Sequence, residues 1–380
     1  MMGQARTRLI TAATTLAGWF FPHTESSSAL RVDVERLLIY KPCCLGDVIQ
    51  VSPVFTAMKN AFPRARVELA TSSWARLAAV TNPALDRIVD VGPVQRDGRS
   101  AASAIIRHAM MLRKERYQLA LVLDRSPAAS LITLLACIPE RAGYDSLGRG
   151  FALNRRISVP PCVHELDLAL SVVRALKLPV PATLPTYYVP QTDRDRAAEL
   201  LSGLNLPKGA RVVAIAPGGG ANPGATQVEK RWSASGFRRL VALLHHAGMH
   251  PMLVGAATDI TVARAVKGEG CCPVLDLTDR TSLPDLAALL THCCLYVGND
   301  SGTTHLAAAV GCPTVAIFGP TDPARYGPRG ERVSILAAEP ASDDPGAGTV
   351  IHPWFVSRSW QHQITADAIC RAAVGLGVAL

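Results

Sequence analysis

Residues 296–306, "YVGNDSGTTHL", run as an apolar strand that halts at Gly298-Asn299-Asp300-Ser301-Gly302 and turns straight into a helix. A strand followed at once by a helix is the repeating unit of a parallel sheet covered on both faces. In such sheets ligands bind beyond the carboxyl ends of the strands, where this polar cluster falls. The helix start carries unpaired N–H groups and a partial positive charge, so it is a ready anion site. The same residues can instead act only as a cap for the helix's own donors. The junction alone leaves both readings open.

Outward from it, the same alternation fills the chain. From residue 35, "RLLIY", "ARVELAT", "RIVDVG" and "YQLALVLD" are short β-rich runs, with "DVIQVSPVFTAMKNAF", "WARLAAV", "SAASAIIRHAMMLRKER" and "SPAASLITLLACI" as helical segments between them. The first helix shows a buried stripe of Val48, Val51, Phe55, Met58 and Phe62; Pro53 either kinks it or marks a first helical position after a Ser52 cap. The proline-rich stretch 178–193 reads as a linker. Beyond it strands recur at "RVVAIAPGG", "PMLVG", "PVLDL", "LYVG" and "TVAIFG", with helices at 233–247, 260–268, 283–293 and 302–310 between them. A last helix, "ITADAICRAAVGLG", closes the chain. The expectation is an α/β protein of two doubly wound, Rossmann-like domains, at 35–190 and 191–380, after an N-terminal extension of 1–34.

Composition narrows the partners. With 380 residues, 49% apolar and 18% charged, the chain is globular and long enough for two cores. An excess of 39 Lys and Arg over 30 Asp and Glu gives a net charge of +9. That favours an anionic partner: a phosphate-bearing ligand, a membrane surface or a nucleic acid. Aromatic residues are only 5%, and the basic-aromatic texture of a single-strand or RNA binder is missing, so no nucleic-acid partner is expected. The ten cysteines include the adjacent pairs Cys43-Cys44, Cys271-Cys272 and Cys293-Cys294, with no CxxC. This disfavours a zinc site; most of the cysteines lie in apolar runs as small hydrophobes, which suits a reducing cytoplasm. No metal and no cofactor are expected. The N-terminal segment has Arg6 and Arg8, an apolar run too short to span a bilayer, and Trp19-Phe20-Phe21. An interfacial helix at a membrane surface is the preferred reading, with a signal-like segment or a disordered tail as alternatives.

Two further constellations lie at strand ends. "YKPCCLGDVIQ" puts Gly46 in a tight strand-to-helix turn and Asp47 at the helix start, as a cap or as a general base able to take a proton from an attacking hydroxyl. "APGGGANPGATQVEKRW" has Gly218, Gly219, Gly220 and Gly224, followed by Lys230 and Arg231. It matches neither the Rossmann fingerprint nor a Walker A loop. A glycine-rich loop, a lysine and the helix start at Ser301, Gly302 and Thr303, all at strand ends of one domain, together suit a diphosphate. His305 falls one turn behind that helix start, as a phosphate contact or a locally bonded side chain.

These stretches, with "VGNDSGTTHLAAAVGCPTVAIFGPTDPARYGP" as the most specific, resemble the family-9 glycosyltransferases, the lipopolysaccharide ADP-heptose heptosyltransferases, from about residue 35 onward. The resemblance implies the GT-B fold, two Rossmann-like domains facing a central cleft, with the acceptor held by the first and the nucleotide sugar by the second. It implies inversion at the anomeric carbon without a metal. Asp47 matches the proposed base, Lys230 the lysine that stabilises the departing diphosphate, and Asp300, Ser301, Gly302 and His305 the donor-binding junction. Transfer builds negative charge on the leaving diphosphate, which a metal-free enzyme must meet with lysine and backbone N–H groups. Family members commonly carry Thr at the Ser301 position, and the glycine-rich loop here is longer, which leaves the sugar open.

The implied partners are a nucleotide sugar, ADP-heptose foremost, and a lipid-linked or glycan acceptor at the inner face of the cytoplasmic membrane. This makes the protein cytoplasmic and peripheral to that membrane. Trp74 and Arg125 follow first-domain strands and are expected at the acceptor rim. The basic residues of helix 105–116 serve the acceptor or form a solvated face. A nucleotide-sugar 2-epimerase on the same fold would need a second carboxylate placed for it, and none stands out. A non-catalytic carbohydrate-binding scaffold would not need Asp47 and Lys230.

Overall fold

Apolar runs of four to six residues separated by amphipathic helices leave the backbone one economical solution, a parallel sheet with helices on both faces. The computed structural model describes residues 33–92, 102–160, 163–180, 182–222, 225–268, 272–339 and 359–380. The readings of the N-terminal segment, Gly224, Cys162 and Cys271 fall outside them. Two units divide at Thr183 and Leu184.

In the first unit, β1 (Arg36–Tyr40), β2 (Arg66–Thr71), β3 (Arg87–Asp90), β4 (Leu119–Val122), β5 (Glu140–Asp145) and β6 (Arg155–Ser158) form one sheet in the order β3-β2-β1-β4-β5-β6. Every pairing is parallel. Leu37, Leu38 and Ile39, three consecutive residues that point to alternate faces, are all fully buried, so helices cover both sides. In the second unit, β7 (Val212–Ala216) is followed by a small antiparallel hairpin of β8 (Ala221–Asn222) and β9 (Ala225–Thr226). Strands β10 (His250–Leu253), β11 (Leu275–Asp276), β12 (Leu295–Asn299), β13 (Thr314–Phe318) and β14 (Val333–Ala337) then complete a second parallel sheet, ordered β11-β10-β7-β12-β13-β14. With the hairpin set aside, both sheets have the same doubly wound order. The strand order reverses between β1 and β4 in one unit and between β7 and β12 in the other, and loops leaving those strands diverge to leave a binding crevice.

Several expectations need correction. The first helix is two, Leu45–Gln50 and Ser52–Ala61, which meet at Val51. Pro53 lies in the first turn of the second, where its missing N–H is harmless, whereas a continuous helix would have needed that donor. "WARLAAV" supplies only a 3₁₀ turn, Ala75–Ala78. Strands β5 and β6 have no strand signature in the sequence, because "ERAGYD" and "RRIS" look like surface sequence. Arg155 is fully buried, and its Nε donates to Glu140 Oε2 at 2.8 Å, so two charges that read as exposed neutralise each other inside the sheet. Helix Gln191–Ser202 likewise begins inside the proline-rich stretch, with Pro190 as its N-cap residue. Among the described residues no helix is long and apolar enough to cross a membrane.

Candidate active site

In the second unit the loop after β7 is shaped by its glycines. Gly219 and Gly220 adopt φ of +93° and +76°, backbone that favours glycine, and a side chain at Gly218 would run into the Asp259 carboxylate. Asp259 holds the loop from outside. It accepts from Gly219 N at 3.2 Å and Arg231 Nη2 at 3.0 Å on one oxygen, and from Ala256 N at 3.0 Å on the other. Arg231 Nε also donates to the Gly219 carbonyl at 2.9 Å. The Arg231 guanidinium thus braces the glycine loop.

Asn299, the last residue of β12, is fully buried and ties three chain segments together. Its Oδ1 accepts from Trp232 N at 2.9 Å, and its Nδ2 donates to the carbonyls of Pro217 and Gly218 at 3.0 and 2.9 Å. Two tryptophans complete the clamp around residues 229–232. Trp232 Nε1 donates to Gln361 O at 2.9 Å, and Trp360 Nε1 to Glu229 O at 3.0 Å. Held between them, Lys230 extends its ammonium to Asp300, with Nζ to Oδ2 at 2.6 Å. Lys230 and Asp300, 70 residues apart in sequence, are brought into direct contact at the switch point.

The helix Gly302–Ala309 starts beside this pair. Ser301 is its N-cap residue, yet no side-chain hydrogen bond caps the helix. The Ser301 hydroxyl instead lies 2.9 Å from Thr303 Oγ1 and 3.3 Å from Thr304 Oγ1. Tyr296 OH reaches the same two hydroxyls at 2.9 and 3.2 Å. Burial pushes the Tyr296 phenol up to about 12, which keeps its proton in this hydroxyl cluster. The cap-only reading of Ser301 therefore fails. His305 is buried one turn further in, its backbone N–H directed to Ser301 O.

In the first unit, Asp47 lies in the first turn of Leu45–Gln50, immediately after β1. Its carboxylate is partly exposed and lies 3.6 Å from the ammonium of buried Lys41, a residue that belongs to no motif of its own. Arg125 follows β4, across the switch point from β1. Its Nη2 donates to Glu165 at 2.7 Å, and its guanidinium lies 5.6 Å from the centre of the Tyr144 ring. Trp74, after β2, is exposed. Cys293 and Cys312 are buried as expected of small hydrophobes, but Cys43 and Cys44 are only half-buried and their sulfurs are bonded to each other. Asp259, Asn299 and Lys41 carried no sequence signal of their own. The one pointer was their placement next to strand ends or inside the quoted motifs.

Two doubly wound units with polar clusters at their switch points define an α/β protein of two Rossmann-like domains. Residues 105–352, well over half of the chain, match glycosyltransferase family 9 (heptosyltransferase), and the chain belongs to that family and is a glycosyltransferase. It is 26% identical over 323 residues to lipopolysaccharide heptosyltransferase 2 of Salmonella typhimurium, covering 79% of this chain and 87% of that one. The fold is GT-B. A family-9 glycosyl transferase structure from Veillonella parvula matches with a TM-score of 0.74 at 21% identity, over 92% of this chain and 99% of the other. The structure of E. coli ADP-heptose LPS heptosyltransferase II matches with a TM-score of 0.70 at 21% identity, over 90% and 98%. Asp47 lies upstream of the span matched to the family.

Proposed function

We propose that this protein is an inverting, metal-independent heptosyltransferase that moves heptose from ADP-heptose onto a lipopolysaccharide core or a related glycan. The observation that carries the reading is the Lys230–Asp300 pair beside the glycine loop and the uncapped helix start of Gly302–Ala309. A diphosphate leaving group gains charge as the glycosidic bond breaks. Lys230 and the amides at that helix start meet it, and the Gly218–Gly220 backbone admits it closely. Thr303 and the hydroxyl cluster around Ser301 orient the phosphate oxygens, and His305 backs them.

Asp47 in residues 35–190, the acceptor domain of this reading, acts as general base on the attacking hydroxyl. Its neighbour Lys41 holds an ammonium 3.6 Å from that carboxylate. One in-line attack requires one base, so a single carboxylate suffices. Trp74 and Arg125 belong to the acceptor side, and residues 191–380 hold the donor. The net charge of +9 suits a peripheral position at the anionic inner face of the cytoplasmic membrane. Likeness to the Salmonella lipopolysaccharide heptosyltransferase and to the E. coli ADP-heptose enzyme supports the choice of sugar and acceptor.

The test incubates the protein with ADP-heptose and core-oligosaccharide acceptors, and reads ADP release together with the anomeric configuration of the product by NMR. Transfer with inversion in the presence of EDTA is expected. Asp47→Ala should lower turnover ~10²–10⁴-fold and leave donor binding nearly unchanged. Full activity of that variant, retention of configuration, or strict dependence on a divalent ion would overturn the mechanism. Conversion of a nucleotide sugar to its 2-epimer without acceptor would overturn the function.

A further inference from the structure

In extended backbone, consecutive side chains point to opposite sides. At residues 43 and 44 they do not. Cys44 adopts φ of +59°, a conformation that L residues rarely take, and the two sulfurs lie side by side, bonded in the structure. The Asp47 carboxylate shares their position: the two Sγ atoms and one carboxylate oxygen all lie within 4.8 Å of one another. All three residues are half-buried, so an ion can reach them from solvent.

We infer that, when the Cys43–Cys44 bond is reduced, Cys43, Cys44 and Asp47 form a binding site for a thiophilic d¹⁰ cation of the zinc and cadmium class. The donor set decides the class. Two thiolates and one carboxylate suit a borderline-soft ion and are a poor set for Mg²⁺ or Ca²⁺, which take oxygen ligands in larger number. Three protein ligands leave the fourth tetrahedral position to water. Binding releases the two thiol protons as the two metal–sulfur bonds form, and the oxidised pair has no thiolate to offer. Lys41, with its ammonium 3.6 Å from Asp47, competes with the ion for the same carboxylate.

The consequence for transfer rests on the reading of Asp47 as base. A cation that takes its carboxylate removes the proton acceptor, so the ion is an inhibitor.

The experiment uses the full chain, stripped with chelator and kept reduced with a phosphine, and titrates it with cadmium chloride. Binding is followed by the ultraviolet cadmium–thiolate band and by equilibrium dialysis, neither of which depends on activity. The wild type should bind one more Cd²⁺ per chain than the Cys43→Ser/Cys44→Ser double variant, and Asp47→Asn should weaken that binding severalfold. Oxidised protein should match the double variant, and excess Mg²⁺ should not compete. Equal stoichiometry in wild type and double variant, or unchanged affinity in Asp47→Asn, would overturn the site. Inhibition is read separately. Cadmium should stop transfer by the wild type and spare the double variant, and EDTA should restore it. Binding without inhibition would overturn the regulatory consequence. The metal-free turnover of Asp47→Asn tests the base on its own, so that failure of the base assignment is told apart from failure of the site.

Discussion

Lys230 and Asp300 meet at 2.6 Å at the carboxyl end of the second sheet, the lysine from the loop after β7 and the aspartate from the end of β12. The carboxylate holds the ammonium at a fixed place, and in the proposed transfer this supplies the pre-organisation that stabilising a departing diphosphate requires. Lys230→Ala should therefore act mainly on the chemical step. Steady-state kinetics should show kcat lower by ~10²–10³, with a smaller change in the KM for donor. A rise in KM alone would reduce Lys230 to a ground-state contact.

The glycine loop gives a second prediction. At Gly219, φ is +93° and an added Cβ would lie 2.8 Å from the Ser301 Cβ. Gly219→Ala would strain the backbone and push the loop away from the helix start. Left-handed backbone disfavours a non-glycine residue by about 1–2 kcal/mol. Donor affinity, measured by calorimetry with a nucleotide sugar, should fall roughly tenfold or more. Wild-type affinity in this variant would show that the loop stands apart from the donor.

Arg125 is engaged by Glu165, whose side chain is only 7% exposed. Arg125→Ala removes the cation hydrogen-bonded to that buried carboxylate, so stability should drop by about 1–3 kcal/mol, seen as a lower Tm. The double variant Arg125→Ala/Glu165→Gln should recover much of it, because it removes the buried charge that Arg125 balances. If Arg125 also serves the acceptor, the KM for acceptor stays raised in the recovered double variant. A return to the wild-type KM would confine Arg125 to a structural role.

Acid sensitivity should trace in part to the first sheet. Arg36 and Arg87 reach Glu115 at 2.6 and 2.8 Å, and both also bind buried Glu68. Burial pushes the Glu115 carboxyl up, but the hydrogen bonds from Arg87 and Arg36 outweigh it and hold it below the ordinary carboxylate range. A carboxylate depressed on folding stabilises above its unfolded value, about 4.3, and loses that contribution as the pH falls through its folded value. The Tm of wild type should exceed that of Glu115→Gln at pH 7, and the gap should close below about pH 4. A constant gap across that range would show that the charge of Glu115 is not what stabilises the network.

Which parts of this molecule were readable in advance follows from how local their causes are. The strand at "RLLIY" and the junction at "GNDSG" are written in consecutive residues, because burial on both faces demands an unbroken apolar run and a tight turn demands small polar residues. β5 and β6 were hidden by the opposite circumstance: Glu140 and Arg155 look like surface charge until the sheet brings them together at 2.8 Å. The same holds for Asp259. Nothing in "AATDITVARAV" marks it as the residue that braces Gly219 and Arg231.

By itself the sequence determined the α/β alternation, the glycine loop, and the presence of Asp47, Lys230 and Asp300 at strand ends, since periodicity and turn chemistry act over a few residues. Only the tertiary structure decided what those groups touch. It joined Lys230 to Asp300 across 70 residues, committed Arg231 to the loop carbonyl and Asp259, turned the Ser301 hydroxyl to Thr303 and Thr304, and gathered Cys43, Cys44 and Asp47 at one turn. Side-chain partnership depends on which strands become neighbours in the sheet, and that order is a property of the whole packed chain.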